Sequence, residues 1–259
     1  MEIIILASGS KGNAAYIKTK STTLLIDAGI SFRQLKLRLE SHNIELDRID
    51  GVLLTHEHSD HTKGLFQLVK QIHPPIYTTK KTYRKIKHTL PIVHETLPIE
   101  ADVPFMLQDL IITPISTSHD AVDSLGFVIQ EDDKRLVYIT DTGYIDEQVF
   151  HKISNAEGYV LESNYDVALL FDSTRPHYLK KRIDSIKGHL SNDDAAYYLT
   201  RLIGDRTKNI VLAHPSEECN TEKHARDTLS DIFNAYELSL DHCEVTVAKQ
   251  HQPTHIIKI

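Results

Sequence analysis

Residues 55–61 read Thr-His-Glu-His-Ser-Asp-His. Three imidazoles and two carboxylates fall in seven positions, so the charges must find partners or a cation. Imidazole nitrogen and carboxylate oxygen bind divalent zinc, manganese or iron at about 2.0–2.2 Å. His56 and His58 stand two apart on a turn after the apolar run 50–55, and Asp60 and His61 follow at the start of a helical pattern. A tight turn can aim two such ligands at one ion, and the four candidates together could reach two adjacent ions. One loop cannot complete two coordination shells. Further donors stand just past other apolar runs: His119 in STSHDA, Asp141 in ITDTG and His214 in LAHPS.

The elements that must carry these residues are readable from periodicity. Strands are expected over 2–7, 14–19, 22–27, 50–55, 75–79, 103–107, 110–116, 125–130, 135–140, 158–162, 209–213, 243–249 and 255–259, and helices over 32–41, 62–73, 80–88, 177–186, 191–203 and 221–236. Ser191 with Asp194 has the form of a capping box opening the 191–203 helix. Polar clusters repeatedly follow apolar strands, as in LLIDAG, VYITDTG, YVLESN and IVLAHPS. Strand ends are rigid enough to hold a site to tolerance. The pattern implies an α+β protein with two sheets flanked by helices, one domain over residues 1–259.

Composition narrows the class. A hydrophobic fraction of 41% and a charged fraction of 25% are those of a soluble globular chain. No apolar run approaches the roughly 20 residues of a membrane helix, and MEIIILASGS reads as a first strand, not a signal peptide. Cys219 and Cys243 form no C-x-x-C pair, which suits a reducing cytoplasm. The net charge of −7 argues against a general nucleic-acid binder, but its distribution is uneven. Lys80, Lys81 and Arg84 lie in KKTYRKIKH, and Lys181 and Arg182 lie in a second basic stretch. Each is either a solvated helix face or a track for phosphates. The Gly-rich run Ser8–Asn13 is either a hairpin turn or an anion-binding concavity in which Ser10, Gly12 and Asn13 would contact phosphate.

Taken in order, Asp27, the H-x-H-x-D-H run, His119, Asp141 and His214 resemble the metallo-β-lactamase fold superfamily. ASGSKGN, SHDAVDSLGF, LESNYD and KGHLSNDDAA are similar to its small bacterial exonuclease subgroup, often called YycJ or WalJ. The resemblance implies an αββα sandwich with a dinuclear site at one sheet edge. His56, His58 and His119 would hold one ion; Asp60, His61 and His214 would hold the other; Asp141 would bridge them; Asp27 would orient the loop. Glu57 and Ser59 would point away. The antibiotic-hydrolysing members place a cysteine among the ligands, and neither cysteine here sits in a ligand motif. The interval from Asp141 to His214 is too short for the second domain of ribonuclease J, and that from His119 to Asp141 leaves no room for the tRNA-gripping arm of ribonuclease Z. Residues 171–177, FDSTRPH, depart from the Gly- or Pro-rich turn expected there.

The reaction this implies is hydrolysis of a phosphodiester. Two divalent ions, zinc, manganese or iron, lower the pKa of bound water towards 7 and favour hydroxide attack on phosphorus. Asp60 would orient the nucleophile. His189, in KGHLS, would give a proton to the leaving oxygen, with Glu162 setting its tautomer. By the resemblance, the substrate is DNA, attacked 5′ to 3′ in the course of repair. The competing expectations are a ribonuclease, a small-molecule phosphodiesterase or thioesterase on the same fold, and a non-catalytic metal or redox sensor.

Overall fold

EIIILA has no polar face because both of its faces are covered. In the computed structural model, which describes residues 1–259, Ile3 and Ile5 point into a cluster between two sheets, while Ile4 and Leu6 point into another beneath helices. Period-two alternation then gives an unbroken apolar run. Burying each such side chain contributes about 1.5–3 kcal/mol.

The first sheet contains β1 (Glu2–Ala7), β2 (Ala14–Lys18), β3 (Thr23–Ile26), β4 (Gly51–Leu53), β5 (Ile76–Thr78) and β6 (Thr96–Pro98). The second contains β7 (Phe105–Leu107), β8 (Leu110–Ser116), β9 (Leu125–Glu131), β10 (Lys134–Ile139), β11 (Gly158–Glu162), β12 (Asn209–Ala213) and β13 (Glu244–Val247). A last strand, β14 (Ile257–Lys258), pairs antiparallel with β1. The orders are β14-β1-β2-β3-β4-β5-β6 and β13-β12-β11-β10-β9-β8-β7. Strands β3 to β6 run parallel, as do β10 to β13.

The helices are α1 (Phe32–Glu40), α2 (Ser59–Thr62), α3 (Leu65–Ile72), α4 (Lys80–Ile86), α5 (Phe150–Ile153), α6 (Val167–Asp172), α7 (His177–Ile183), α8 (Asn192–Leu202) and α9 (Glu222–Ala235). Leu35, Leu39, Leu65, Leu68 and Ile86 from α1, α3 and α4 cover the outer face of the first sheet. Ala195, Leu199, Ala225, Leu229 and Phe233 from α8 and α9 cover the second. The layers are therefore α, β, β, α, as the residue pattern and the resemblance imply. No helix is long and apolar enough to cross a membrane.

Four elements have no counterpart among the sequence-based expectations. β6 is three residues at a sheet edge and ends in Pro98, which an edge tolerates but no strand pattern announces. α2, α5 and α6 are four to six residues long, too short for periodicity to register. The helix expected over 62–73 is broken at Gly64. Its N–H donates to the carbonyl of Ala28 at 2.7 Å, and a Cβ there would collide with the carbonyl of Ile30. The chain bends at Gly64 so that the histidine loop lies against residues 28–30.

Away from the ends of β3 and β4, the two sheets are clasped by one carboxylate. Asp109, in the β7–β8 turn, accepts from the hydroxyls of Thr19 and Thr22 in the β2–β3 turn, with Thr19 at 2.8–2.9 Å. Burial works to raise its pKa, but these hydroxyls and Ser21 bring it down from 3.8 to about 2. A depressed carboxylate stabilises the fold fully above its unfolded value and loses that contribution as pH falls through its folded one. Asp109→Asn should therefore lower stability by about 1 kcal/mol at neutral pH. The deficit should vanish between pH 3.8 and about 2. Thermal melts of both proteins across that range check this; a deficit unchanged at the acid end would show the carboxylate is not responsible.

Candidate metal centre

The parallel strands deliver their polar ends to one edge of the sandwich. Asp27 follows β3, His56 to His61 follow β4, His119 follows β8, Asp141 follows β10, Glu162 ends β11 and His214 follows β12. Asp27, Asp141 and His214 have left-handed backbone, with φ of 59°, 55° and 55°. That conformation is uncommon outside glycine and costs energy. It turns the chain sharply off the strand and swings each side chain into the same space.

Four imidazoles share one arrangement: Nδ1 is anchored by the protein and Nε2 is left facing the centre. His56 Nδ1 lies 3.0 Å from the Thr55 hydroxyl. His61 Nδ1 lies 2.7 Å from Asp27 Oδ2. His119 Nδ1 lies 3.1 Å from the carbonyl of Gly188. His214 Nδ1 lies 3.1 Å from Glu162 Oε1 and 2.9 Å from the Asn164 amide. Anchoring of this kind fixes the tautomer and aims the free nitrogen at a cation. His58 differs, presenting Nδ1 at 3.0 Å from His56 Nε2.

The donors separate into two sets whose ligand atoms lie within 4.8 Å of one another: His56, His58 and His119; and Asp60, His61, Asp141 and His214. Asp141 faces both. Its Oδ2 is 3.3 Å from His61 Nε2, and its Oδ1 is 3.5 Å from His214 Nε2 and 3.9 Å from His119 Nε2. Asp141 Oδ2 and His214 Nε2 are buried with no hydrogen-bond partner. Buried polar atoms are rarely left so, and a divalent cation between them would satisfy both. The residues therefore fit the metal.

The electrostatics agree. Burial lowers the pKa of His56 and His119, the effect on His56 being large, so both imidazoles are neutral and open to a cation. Burial works against protonation at His61 and His214 as well. There the carboxylates win: Asp27 and Asp141 raise His61 well above its usual value, and Asp141 with Glu162 raises His214 to about 9.

A third cluster joins Asp141, Glu162, His189 and His214. Glu162 is fully buried, and its oxygens are occupied. Oε2 accepts from the N–H of Thr142 at 2.7 Å, while Oε1 faces His189 Nδ1 at 2.7 Å and His214 Nδ1 at 3.1 Å. Such a carboxylate orients two imidazoles. His189, 21% exposed, keeps Nε2 free.

Several sequence expectations change. In the Ser8–Asn13 loop the amides of Gly9, Lys11, Gly12 and Asn13 are spent on the fold and are not free to cradle an anion. Gly9 N–H donates to Asn13 Oδ1, Lys11 N–H to Gln250, Gly12 N–H to Gly9 and Asn13 N–H to Asp60. Gly12 and Asn13 are buried; Ser10 is exposed. The Asn13 amide lies 3.1 Å from His61 Nε2, so it borders the centre from within. Glu57 is no idle loop residue, since its Oε1 accepts from Val122 N–H at 3.0 Å and ties the His58 turn to the His119 loop. Lys80, Lys81 and Arg84 are exposed on α4, with Lys81 3.7 Å from Asp123 in that loop. Lys181 and Arg182 are exposed on α7.

Thr55, Thr142, Asn164 and Ser8 had no expected role. Thr55 holds Asp27 through its N–H and its hydroxyl, and the Ser8 hydroxyl accepts from the N–H of His214 at 2.7 Å. Their one sequence signal is position, each just past the end of a strand.

Comparison with known proteins agrees with this geometry. The family described as Beta-lactamase superfamily domain matches residues 22–214. The exodeoxyribonuclease YycJ of Bacillus anthracis is 35% identical over 88% of each chain. The exodeoxyribonuclease WalJ of Streptococcus pneumoniae is 37% identical over 87% of this chain and 85% of that one. Among solved structures, the metallo-β-lactamase fold protein YhfI from Bacillus subtilis superposes with a TM-score of 0.73, covering 98% of each chain at 18% identity.

Proposed function

Since the chain belongs to the β-lactamase superfamily, in the group of the YycJ and WalJ proteins, we propose that it is a metal-dependent phosphodiesterase that removes nucleotides from DNA ends, 5′ to 3′. The observation that carries this reading is the convergence of seven donors from four strand ends beside a separate Glu162–His189 pair. The DNA substrate follows the relatives, which are exodeoxyribonucleases by name and match over most of their length; the polarity rests on the motif resemblance alone. A role in DNA repair and a cytoplasmic location belong to the same reading.

His56, His58 and His119 would hold one cation, Asp60, His61 and His214 the second, and Asp141 both. When bound, the cations, zinc, manganese or iron, stabilise charge on phosphoryl oxygens and make a water nucleophilic at neutral pH. The chain's own residues do the rest. Asp60, 24% exposed, is the most open ligand carboxylate and orients the attacking oxygen. Asp27 and Thr55 keep His61 in its tautomer. Glu162 accepts a hydrogen bond from His189 Nδ1–H, so that in the protonated ring Nε2–H faces the leaving 3′ oxygen and gives it a proton, leaving the neutral imidazole. Burial raises the Glu162 pKa, but His189 and His214 beside it bring it below the usual value and keep it an acceptor.

The test is a panel of end-labelled DNA and RNA strands with manganese. The expected result is mononucleotide release from 5′-phosphorylated DNA, faster than from RNA and abolished by a chelator. Turnover of small phosphodiesters or thioesters with no release from DNA would replace this reading with that of a small-molecule hydrolase.

A further inference from the structure

The C-terminal turn of α7 is built into the wall of the centre. The carbonyl of Ile183 accepts from His189 N–H at 2.9 Å, that of Ile186 from the Ser118 hydroxyl at 2.6 Å, and that of Gly188 faces His119 Nδ1. Asp184 accepts from the buried Tyr165 hydroxyl at 2.6 Å. Ile183 is buried, which fixes the helix by its last residue. Arg182, immediately before it, therefore has a defined direction. Its Nε donates to Asp120 Oδ2 at 2.6 Å, and a terminal nitrogen reaches the same oxygen. The other oxygen of that carboxylate, Oδ1, lies 3.4 Å from His119 Nε2, the atom that faces the cation. One carboxylate thus separates the guanidinium from the metal centre.

This placement is not needed for stability. The pair is exposed, Arg182 at 61% and Asp120 at 29%, and exposed ion pairs contribute little. A guanidinium offers five N–H donors in a planar fork, and here it uses one edge. The remaining donors face solvent at the rim over His119. A fork of this kind matches a phosphate with two parallel bonds, which an ammonium cannot do.

Resting on the nuclease reading above, we infer that Arg182, held by Asp120, binds the phosphate next to the scissile one and so sets the register of the strand over the metal centre. The substrate class is a polynucleotide with a charged phosphate flanking the bond to be cut. Asp120 aims the guanidinium while no strand is present, and the free edge takes the phosphate without the pair having to break. Lys181, one residue earlier, is exposed and has no ion pair that would aim it at the centre as Asp120 aims Arg182.

The experiment compares wild type, Arg182→Gln and Arg182→Lys on oligonucleotides carrying a single neutral methylphosphonate at successive positions. With manganese, Arg182→Gln should lower kcat/KM about tenfold on the fully charged strand, and Arg182→Lys should fall between. On the strand neutral at the contacted phosphate, the three should be equal. With chelator present, so that nothing is cut, the slope of log K against log salt should fall by about 0.7 in Arg182→Gln, the loss of one phosphate contact. A penalty that is the same wherever the neutral linkage lies, or an unchanged slope, would overturn the inference. If no oligonucleotide is cut but the slope falls, the contact stands and the nuclease reading does not.

Discussion

Asp141→Ala should lower turnover on the order of 10³-fold or more, with the metal content falling from two ions per chain to one or none. The magnitude follows from what the carboxylate joins. Its oxygens lie 3.3 Å from His61, 3.5 Å from His214 and 3.9 Å from His119, so its loss removes the one anion of the second donor set that also faces the first. Lewis-acid stabilisation at such a centre supplies several kcal/mol, and each 1.36 kcal/mol is tenfold in rate. The remaining imidazoles would also repel one another when protonated. Asp141→Asn separates shape from charge: it should fold as wild type, by far-UV dichroism, and still lose metal. Elemental analysis after gel filtration is the direct measurement, and two ions retained in Asp141→Ala would refute the shared role. Asp60→Ala should lose turnover as well, but its carboxylate is at the mouth of the centre and faces only the second set. Equal nucleotide release by wild type and Asp60→Ala would show that the ligand assignment is wrong.

For His189→Ala the expected result is different in kind. Both ions should remain, because His189 Nδ1 is committed to Glu162 and its ring borders the ligand sets without joining either main one. The turnover number should fall by about 10²–10⁴, the usual worth of a positioned proton donor, with KM little changed. A leaving-group comparison isolates the cause. A nucleotide ester of p-nitrophenol leaves as a stable anion and needs no proton, so the defect should shrink on that substrate and stay large on DNA. If the two substrates suffer equally, His189 acts by holding the wall of the centre and not by giving a proton. Glu162→Gln should reproduce part of the defect. It should also disturb metal content, since the same oxygen anchors His214 Nδ1.

Asp27 and the donors at 56 to 61, 119, 141 and 214 are legible because each follows an apolar run that becomes a strand, even where the strand itself ends a residue or two earlier than the run. The partners of those donors are not. Thr55 and Ser8 look like ordinary turn residues until β3, β4 and β12 are side by side. Asp120 reads as part of a loop until α7 brings Arg182 to it. The two readings of Ser8–Asn13 stay open in the sequence for the same reason. Glycines with positive φ announce a special backbone, and both Gly9 and Gly12 have it. Whether the freed amides serve an anion or the fold depends on Gln250 and Asp60, distant in sequence.

The left-handed backbone at Asp27, Asp141 and His214 bears on how this protein can be altered. Glycine would relax each position, since it alone adopts positive φ without steric cost, and each such change would delete a group the centre depends on. At Asp27 that relief is outweighed, because the buried carboxylate holds the N–H and hydroxyl of Thr55 and Nδ1 of His61, and glycine would leave those groups without a partner. Backbone strain and the buried hydrogen bonds therefore pull in opposite directions there, and neither durability nor chemistry is gained by relaxing the turn. Engineering for durability belongs instead in the parts of the sandwich remote from that edge.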